Sequence, residues 1–436
     1  MSKAGVGTFI TEDHELASSG LALFDTPLVD KSLVYGKFLT VYPSSVLNDA
    51  GPHDFIIPSD GQEFTDLPFT RLEGCIEIVK IDGTKVADTD LNAYVNLLPH
   101  SLFKQIECSI NGVQIADLSA PTAAYKAAIE TILTFPNAVK ETTLQLEHFS
   151  KDTLGKENLF NLDVDSFKKR HAVVKNGKIY FSIILHLDFF HSTKLLLPKC
   201  EIKLKFIRNE DSFSLLGTNA ITKIKINELK LLVRRVTVDP DIVSKIESTL
   251  AKTPAIYPVA QSKIKNFIIN KGSKTERISN IFRGVLPRSI IVTFVKSDGY
   301  NGVISANPFV FEPFKLNHFQ AYVNGEPLLT EVFQPDFANG KFTREYRWFM
   351  DNLGWAHDRD SNGVTMEEYK TNTFFIPFDL SPDLSNGATL TQPKDGSLDF
   401  LVSFDQALPE NINMLVFATF NEVILIDNLR NVTLVG

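Results

Sequence analysis

Cys200-Glu201-Ile202-Lys203-Leu204-Lys205-Phe206 decides how this chain folds. Successive side chains of an extended strand point to opposite faces. Cys200, Ile202, Leu204 and Phe206 therefore share one side, and Glu201, Lys203 and Lys205 share the other. Such strict alternation marks a strand with one packed face and one solvated or paired face. Strand-like runs also occur at Leu33 to Val41, Cys75 to Ile81, Ile106 to Ile115, Ile179 to Phe190 and Ile224 to Val236. Asp82-Gly83, Asn111-Gly112 and Asn176-Gly177 separate them as turns. The pattern resumes at Ser289 to Val295 and again where Leu398, Phe400, Val402 and Phe404 alternate with Asp399, Leu401 and Ser403. Met414 to Ile426 is almost continuously apolar, as a strand buried on both faces requires.

Helical spacing stands out twice. Tyr125, Ala128, Ile129, Ile132 and Leu133 follow the i, i+3, i+4 rhythm, with Pro121 near the start and Pro136 beyond the end. A second helix opens at Asp239-Pro240 and sets Ile242, Val243, Ile246 and Leu250 on one face. It lies just past the midpoint of the chain and marks the junction between two halves.

The halves echo each other. Phe103-Lys104 precedes Asn111-Gly112, and Phe314-Lys315 precedes Asn324-Gly325; each pair predicts an alternating run closed by a tight hairpin. Leu185-His186-Leu187-Asp188-Phe189 has a counterpart in Ile376-Pro377-Phe378-Asp379-Leu380. The expectation is an all-β chain of two tandem eight-stranded jelly rolls with short helical inserts. The layout is an N-terminal arm at 1–30, a first roll at 31–238, a linker helix at 239–252 and a second roll at 253–436. The polar, Ser/Gly-rich arm is of the kind that gains order from a partner surface.

Composition agrees with a folded chain large enough for two cores: 436 residues, 44% hydrophobic and 22% charged. Phe outnumbers Met 34 to 4, a bias toward pleated surfaces. A net charge of −8 argues against a surface given over to nucleic acid. Cys75, Cys108 and Cys200 are far apart and odd in number, so they read as buried thiols rather than staples or zinc ligands. The opening MSKAGVGTFITEDHEL lacks the basic-then-apolar signal pattern, and no apolar run reaches the roughly 18 residues of a transmembrane span, which points to use inside a cell. The sequon Asn431-Val432-Thr433 is then a chance match.

The search for chemistry returns little. There is no GxSxG, HExxH or GxGxxG, and the Gly-Lys pairs at Gly36, Gly155, Gly177 and Gly340 lack the Ser or Thr of a phosphate loop. His186 and His191 flank a strand end, but five positions apart on an extended chain they face opposite ways, so no metal site is assigned. Asp358-Arg359-Asp360-Ser361-Asn362-Gly363 opens like a calcium loop, yet Tyr369 stands where a bidentate Glu belongs, with Glu367 and Glu368 early. An acidic surface turn is the preferred reading. Lys168-Lys169-Arg170-His171 reads as a solvated loop before it reads as an import signal or DNA contact. Arg234 and Arg235, within a strand pattern, are candidates to pair with carboxylates across a subunit interface. Trp348 and Trp355 suit core or interface packing. No catalytic, cofactor or metal residue is assigned. An alternative stays open: a two-domain jelly-roll carbohydrate-binding protein, glycan hydrolase or amidase.

Several segments, taken in order, resemble the double-jelly-roll major capsid proteins of the adintovirus, Polinton (Maverick) and virophage-like group. They are Leu23-Phe24-Asp25-Thr26-Pro27, Tyr42-Pro43 through Gly51-Pro52 to Phe55-Ile56-Ile57-Pro58, His100-Ser101-Leu102-Phe103, Lys151-Asp152-Thr153 and Leu185 to His191. Leu286-Pro287-Arg288, Asn307-Pro308-Phe309, Gln334-Pro335-Asp336-Phe337 and Ala407-Leu408-Pro409-Glu410 continue the series, and Asn362-Gly363 with Glu368-Tyr369 fits the family's own loop. The resemblance implies a non-enzymatic virion protein, assembled inside the host cell. Its homotrimers would form pseudo-hexameric, hexon-like capsomers that tile an icosahedral capsid with neighbouring trimers and penton or minor capsid proteins. It implies no cofactor, no sequence-specific nucleic-acid binding and no transmembrane segment. The polar stretch from Phe337 to Thr373 is expected to form a longer outward loop.

Overall fold

A computed structural model describes residues 30–59, 61–116, 122–358, 360–381 and 392–435. The arm expected at 1–30 lies, Asp30 apart, outside the described residues, as does Pro121.

The first half supplies β1 (Leu33–Val41), β2 (His53–Ile57), β3 (Phe64–Lys80), β4 (Phe103–Ile110), β5 (Val113–Gln114), β6 (Lys178–Ile184), β7 (Ile202–Arg208) and β8 (Thr222–Val238). They form two antiparallel sheets, ordered β1-β8-β3-β6 and β2-β7-β4-β5. The second half supplies β9 (Ala255–Ile269), β10 (Thr275–Val285), β11 (Ser289–Lys296), β12 (Leu316–Val323), β13 (Glu326–Pro327), β14 (Ile376–Asp379), β15 (Asp395–Phe404) and β16 (Ile412–Ile426). Their orders are β9-β16-β11-β14 and β10-β15-β12-β13. Each strand thus has a counterpart eight places on, and each half is a jelly roll. A final strand, β17 (Val432–Val435), pairs with β16.

The alternation of Cys200 to Phe206 is realised in β7. Ile202, Leu204 and Phe206 are buried, and Phe206 meets Phe55 at 5.5 Å and Phe103 at 5.0 Å between ring centroids. Both Asn-Gly hairpins form. Asn111 and Gly112 have φ of 48° and 83°, and Asn324 and Gly325 have 54° and 83°, the left-handed pair of a type I′ turn. The copies agree in detail: Asn111 Oδ1 accepts from the Glu201 N–H and Asn324 Oδ1 from the Ser397 N–H, both at 2.8 Å. Duplication of the fold is therefore visible at the level of single hydrogen bonds.

Helices α1 (Ala123–Thr134) and α3 (Pro240–Leu250) stand where their spacing placed them; Asp239 caps α3 by accepting from the Asp241 N–H at 2.9 Å. Three further helices were not anticipated: α2 (Asp165–Asn176), α4 (Thr343–Asn352) and α5 (Met366–Thr371). The last two correct the expected outward loop between Phe337 and Thr373. Phe349 and Tyr369 are fully buried there, so aromatic anchors fold that segment onto the second roll.

The two large cores interlock. Tyr257, Val259, Ile424, Ile426 and Val432, from β9, β16 and β17, join the core of the first roll. Ala124, Tyr125, Ala128, Ile129 and Leu133 of α1 join that of the second, where Tyr125 stacks on Tyr300 at 5.5 Å. Burying one large apolar side chain contributes about 1.5–3 kcal/mol, so these exchanges bind the rolls firmly.

Candidate functional site

The polar centre of the molecule sits at this junction. After β6 the chain turns through a single 3-10 turn at Asp188–His191. That turn corrects the expectation that His186 and His191 face opposite ways: the backbone is no longer extended, and their rings lie 6.3 Å apart. Glu130 of α1 reaches in, its Oε2 2.6 Å from His186 Nδ1. On the other side His100 Nε2 meets Glu147 Oε2 at 2.9 Å, and the His100 and His186 rings are 5.0 Å apart, edge to face. Lys126 donates to Asp188 Oδ1 at 2.5 Å, and Asp188 accepts from Ser262 on β9.

Burial governs the protonation of this cluster. It pushes the His186 imidazole down to about 3, with the charge of His100 adding to the effect. Burial also raises the Glu130 carboxyl. It acts on Glu147 in the same sense, but there the hydrogen bond and charge of His100 outweigh it, and that carboxyl lies below its ordinary value. His186 Nε2 is buried and has no hydrogen-bond partner. Composition alone hid this group, because His100, Glu130, Glu147 and Asp188 come from four separate segments. The one available signal was His100 inside the apolar run Leu97 to Phe103.

The remaining candidates resolve into structural roles. Cys75, Cys108 and Cys200 are free and buried. Lys168-Lys169-Arg170-His171 lies on α2, not in a loop. Arg170 is buried against Asp152 Oδ1 at 2.6 Å and the Ser150 carbonyl at 2.7 Å, while His171 Nδ1 meets the Asn92 carbonyl at 2.8 Å. Of these four residues, Lys168 and Lys169 are exposed. Arg234 pairs with Asp66 of its own chain at 3.0 Å and covers the Phe69 ring; buried Arg235 donates to Thr65 Oγ1 at 2.8 Å. Each thus has a partner within its own chain. In the calcium-like loop Asp358 and Asp360 are exposed, whereas Asn362 is fully buried and accepts from the Val364 N–H at 3.1 Å. The Asn362 oxygen is thus engaged by the chain's own backbone. Glu368 caps α5 through Thr365 and pairs with Lys151. The indole N–H groups of Trp348 and Trp355 donate to the Pro377 and Leu133 carbonyls at 2.7 and 2.8 Å.

The outer surface carries a different feature. Strand β1 is exposed on both faces over most of its length: Leu33, Val34, Tyr35 and Phe38 are 46%, 62%, 61% and 49% accessible. Among the described residues it pairs only with β8. An apolar edge strand open on both faces is unusual for an isolated sandwich and suits contact with another chain.

No protein-family model matches the chain. An uncharacterized protein of Caenorhabditis elegans is 23% identical over 396 residues, covering 87% of this chain and 92% of that protein. Among solved structures, a chain of the Sputnik virophage is similar with a TM-score of 0.64 at 12% identity, over 97% of this chain and 93% of that one. A chain of the PBCV-1 virus capsid matches with a TM-score of 0.59 at 11% identity, over 95% and 99%. The major capsid protein of mavirus matches with a TM-score of 0.57 at 12% identity, over 97% and 95%. The fold shared with these structures is the double jelly roll.

Proposed function

We propose that this chain is a structural major capsid protein, without catalytic activity, of a DNA virus or virus-like element. The observation that carries the reading is the repeated pair of strand orders in one chain, β1-β8-β3-β6 with β2-β7-β4-β5 and their counterparts eight strands on. A homotrimer of such a chain presents six similar wedges, giving a pseudo-hexameric capsomer from closed threefold symmetry. Neighbouring trimers, with penton or minor capsid proteins, would complete an icosahedral shell, and the virion would be the protein's final location. The fold shared with virophage and PBCV-1 capsid chains supports this reading, as does the uncovered apolar strand β1.

Within that role, residues 31–238 and 253–436 act as the two wedges and 239–252 as the linker. The arm at 1–30 reaches beneath or between neighbouring trimers. The collinear motifs from Leu23 to Glu410 favour the adintovirus and Polinton group, and a nematode relative fits a lineage with copies in animal genomes. The glycan-active alternative is weakened because both tryptophans donate their N–H groups to the chain's own carbonyls instead of forming an exposed platform.

Negative-stain microscopy of the purified full chain tests the reading. Hexagonal capsomers or closed shells are expected. Turnover of glycan or glycopeptide substrates, with no such particles, would overturn it.

A further inference from the structure

We propose that His100, Glu147 and His186 form a binding site for a divalent transition-metal cation of the zinc class, buried where the first roll meets β9 of the second. One donor atom from each residue lies within 4.8 Å of the others, and all three residues are buried. Two ligands on a tetrahedral zinc, each about 2.0–2.1 Å from the metal, stand roughly 3.3 Å apart. His100 Nε2 and Glu147 Oε2, at 2.9 Å, need to part by only a few tenths of an ångström.

The state of His186 points to a ligand independently of that grouping. Its Nδ1 is held by Glu130 Oε2 at 2.6 Å, while Nε2 has no partner although the side chain is only 4% exposed. A buried ring nitrogen left without a partner forfeits the hydrogen bonds it would make in water. A carboxylate on one nitrogen of a histidine is also the arrangement that fixes the tautomer and orients the other nitrogen toward a metal. Glu130 stands in that supporting position.

Charge and access fit as well. Glu130, Glu147 and Asp188 bring three carboxylates, against which the cluster sets Lys126, paired with Asp188 at 2.5 Å. Once His100 has given up its proton, a dication balances the remaining two. His100 and His186 line a cavity of about 80 Å³, enough for the water that completes a four-coordinate site. His186 also borders an open groove with Glu130 and His191, which gives the ion a route in. On binding, the proton between His100 Nε2 and Glu147 is released to solvent. Two imidazoles and a carboxylate favour zinc over calcium or magnesium, which prefer all-oxygen sites.

The test uses the full chain, stripped with a chelator, dialysed free of it and titrated with Zn²⁺ and separately with Co²⁺. The expected result is one zinc retained per chain, a raised melting temperature, and a visible Co²⁺ absorption band of a four-coordinate site. His186→Gln and Glu147→Gln, each checked for native fold by circular dichroism, should lose that band. Glu130→Gln keeps the three ligands and should weaken binding about 10–100-fold. Absence of stoichiometric metal and of the Co²⁺ band in the wild-type chain would overturn the proposal. So would unchanged binding in folded His186→Gln and Glu147→Gln.

Discussion

The carboxylate of Asp188 accepts two hydrogen bonds from Ser262, one from the backbone N–H at 2.9 Å and one from the hydroxyl at 3.0 Å. A turn of the first roll thereby holds a strand of the second, and Lys126 closes the arrangement from α1. Asp188→Ala strips three donors of their acceptor and leaves Lys126 less well compensated in a largely buried place. Its expected cost is about 3 kcal/mol, read by urea denaturation. Asp188→Asn, which keeps an acceptor, should cost less. Equal and negligible effects from both variants would show that the junction rests on apolar packing alone.

Asn111 combines a left-handed backbone with two side-chain bonds, accepting from Glu201 and donating to the Arg430 carbonyl at 2.9 Å. Asn111→Ala should destabilise the chain by about 2 kcal/mol, because alanine resists φ above zero and replaces neither bond. Thermal unfolding checks this. Asn324→Ala, the counterpart in the second roll, should cost somewhat less because its side chain is not tied to the C-terminal segment.

Lys140 is buried with its ammonium on the Ile132 and Asn362 carbonyls, and burial pushes it down to about 7. Its folded value is below the unfolded one, so between about 7 and 10.5 the unfolded chain binds more protons than the folded chain. Stability from this group therefore rises with pH through that window and is lost as pH falls toward 7. Relative to Lys140→Met, the wild type should gain up to about 1.4 kcal/mol per pH unit between pH 7.5 and 9.5. A flat difference in denaturation midpoints would contradict the assignment.

Val34 and Tyr35 lie on the uncovered strand β1. Val34→Lys with Tyr35→Lys should change the stability of the single chain by no more than about 0.5 kcal/mol. The same change should abolish self-association, measured by sedimentation velocity. Unaltered assembly would place the intersubunit contact elsewhere.

Much of the fold was legible because strands advertise themselves by period. β7, β8, β15 and β16 followed from alternation or unbroken apolar runs, and both type I′ hairpins followed from Asn-Gly. Helix α2 was not, because its buried face rests on a few anchors such as Phe167 and Arg170 among charged neighbours, whereas α4 kept a helical spacing in Tyr346, Phe349, Met350 and Leu353 that its many charges masked. The His-Glu cluster was least legible of all. Its members approach only after α1, the segment at Glu147 and the turn after β6 pack together, and sequence separation conceals that. Arg234 and Arg235 carry a related lesson: a charge in a strand says that a partner exists, not whether it lies in the same chain.

Light scattering coupled to size exclusion, across protein concentration and salt, measures the solution mass of the full chain and so decides whether it forms capsid trimers. The account predicts a species of three times the 48.8 kDa chain mass, alone or with larger shells. A monodisperse particle of one chain under every condition would contradict it.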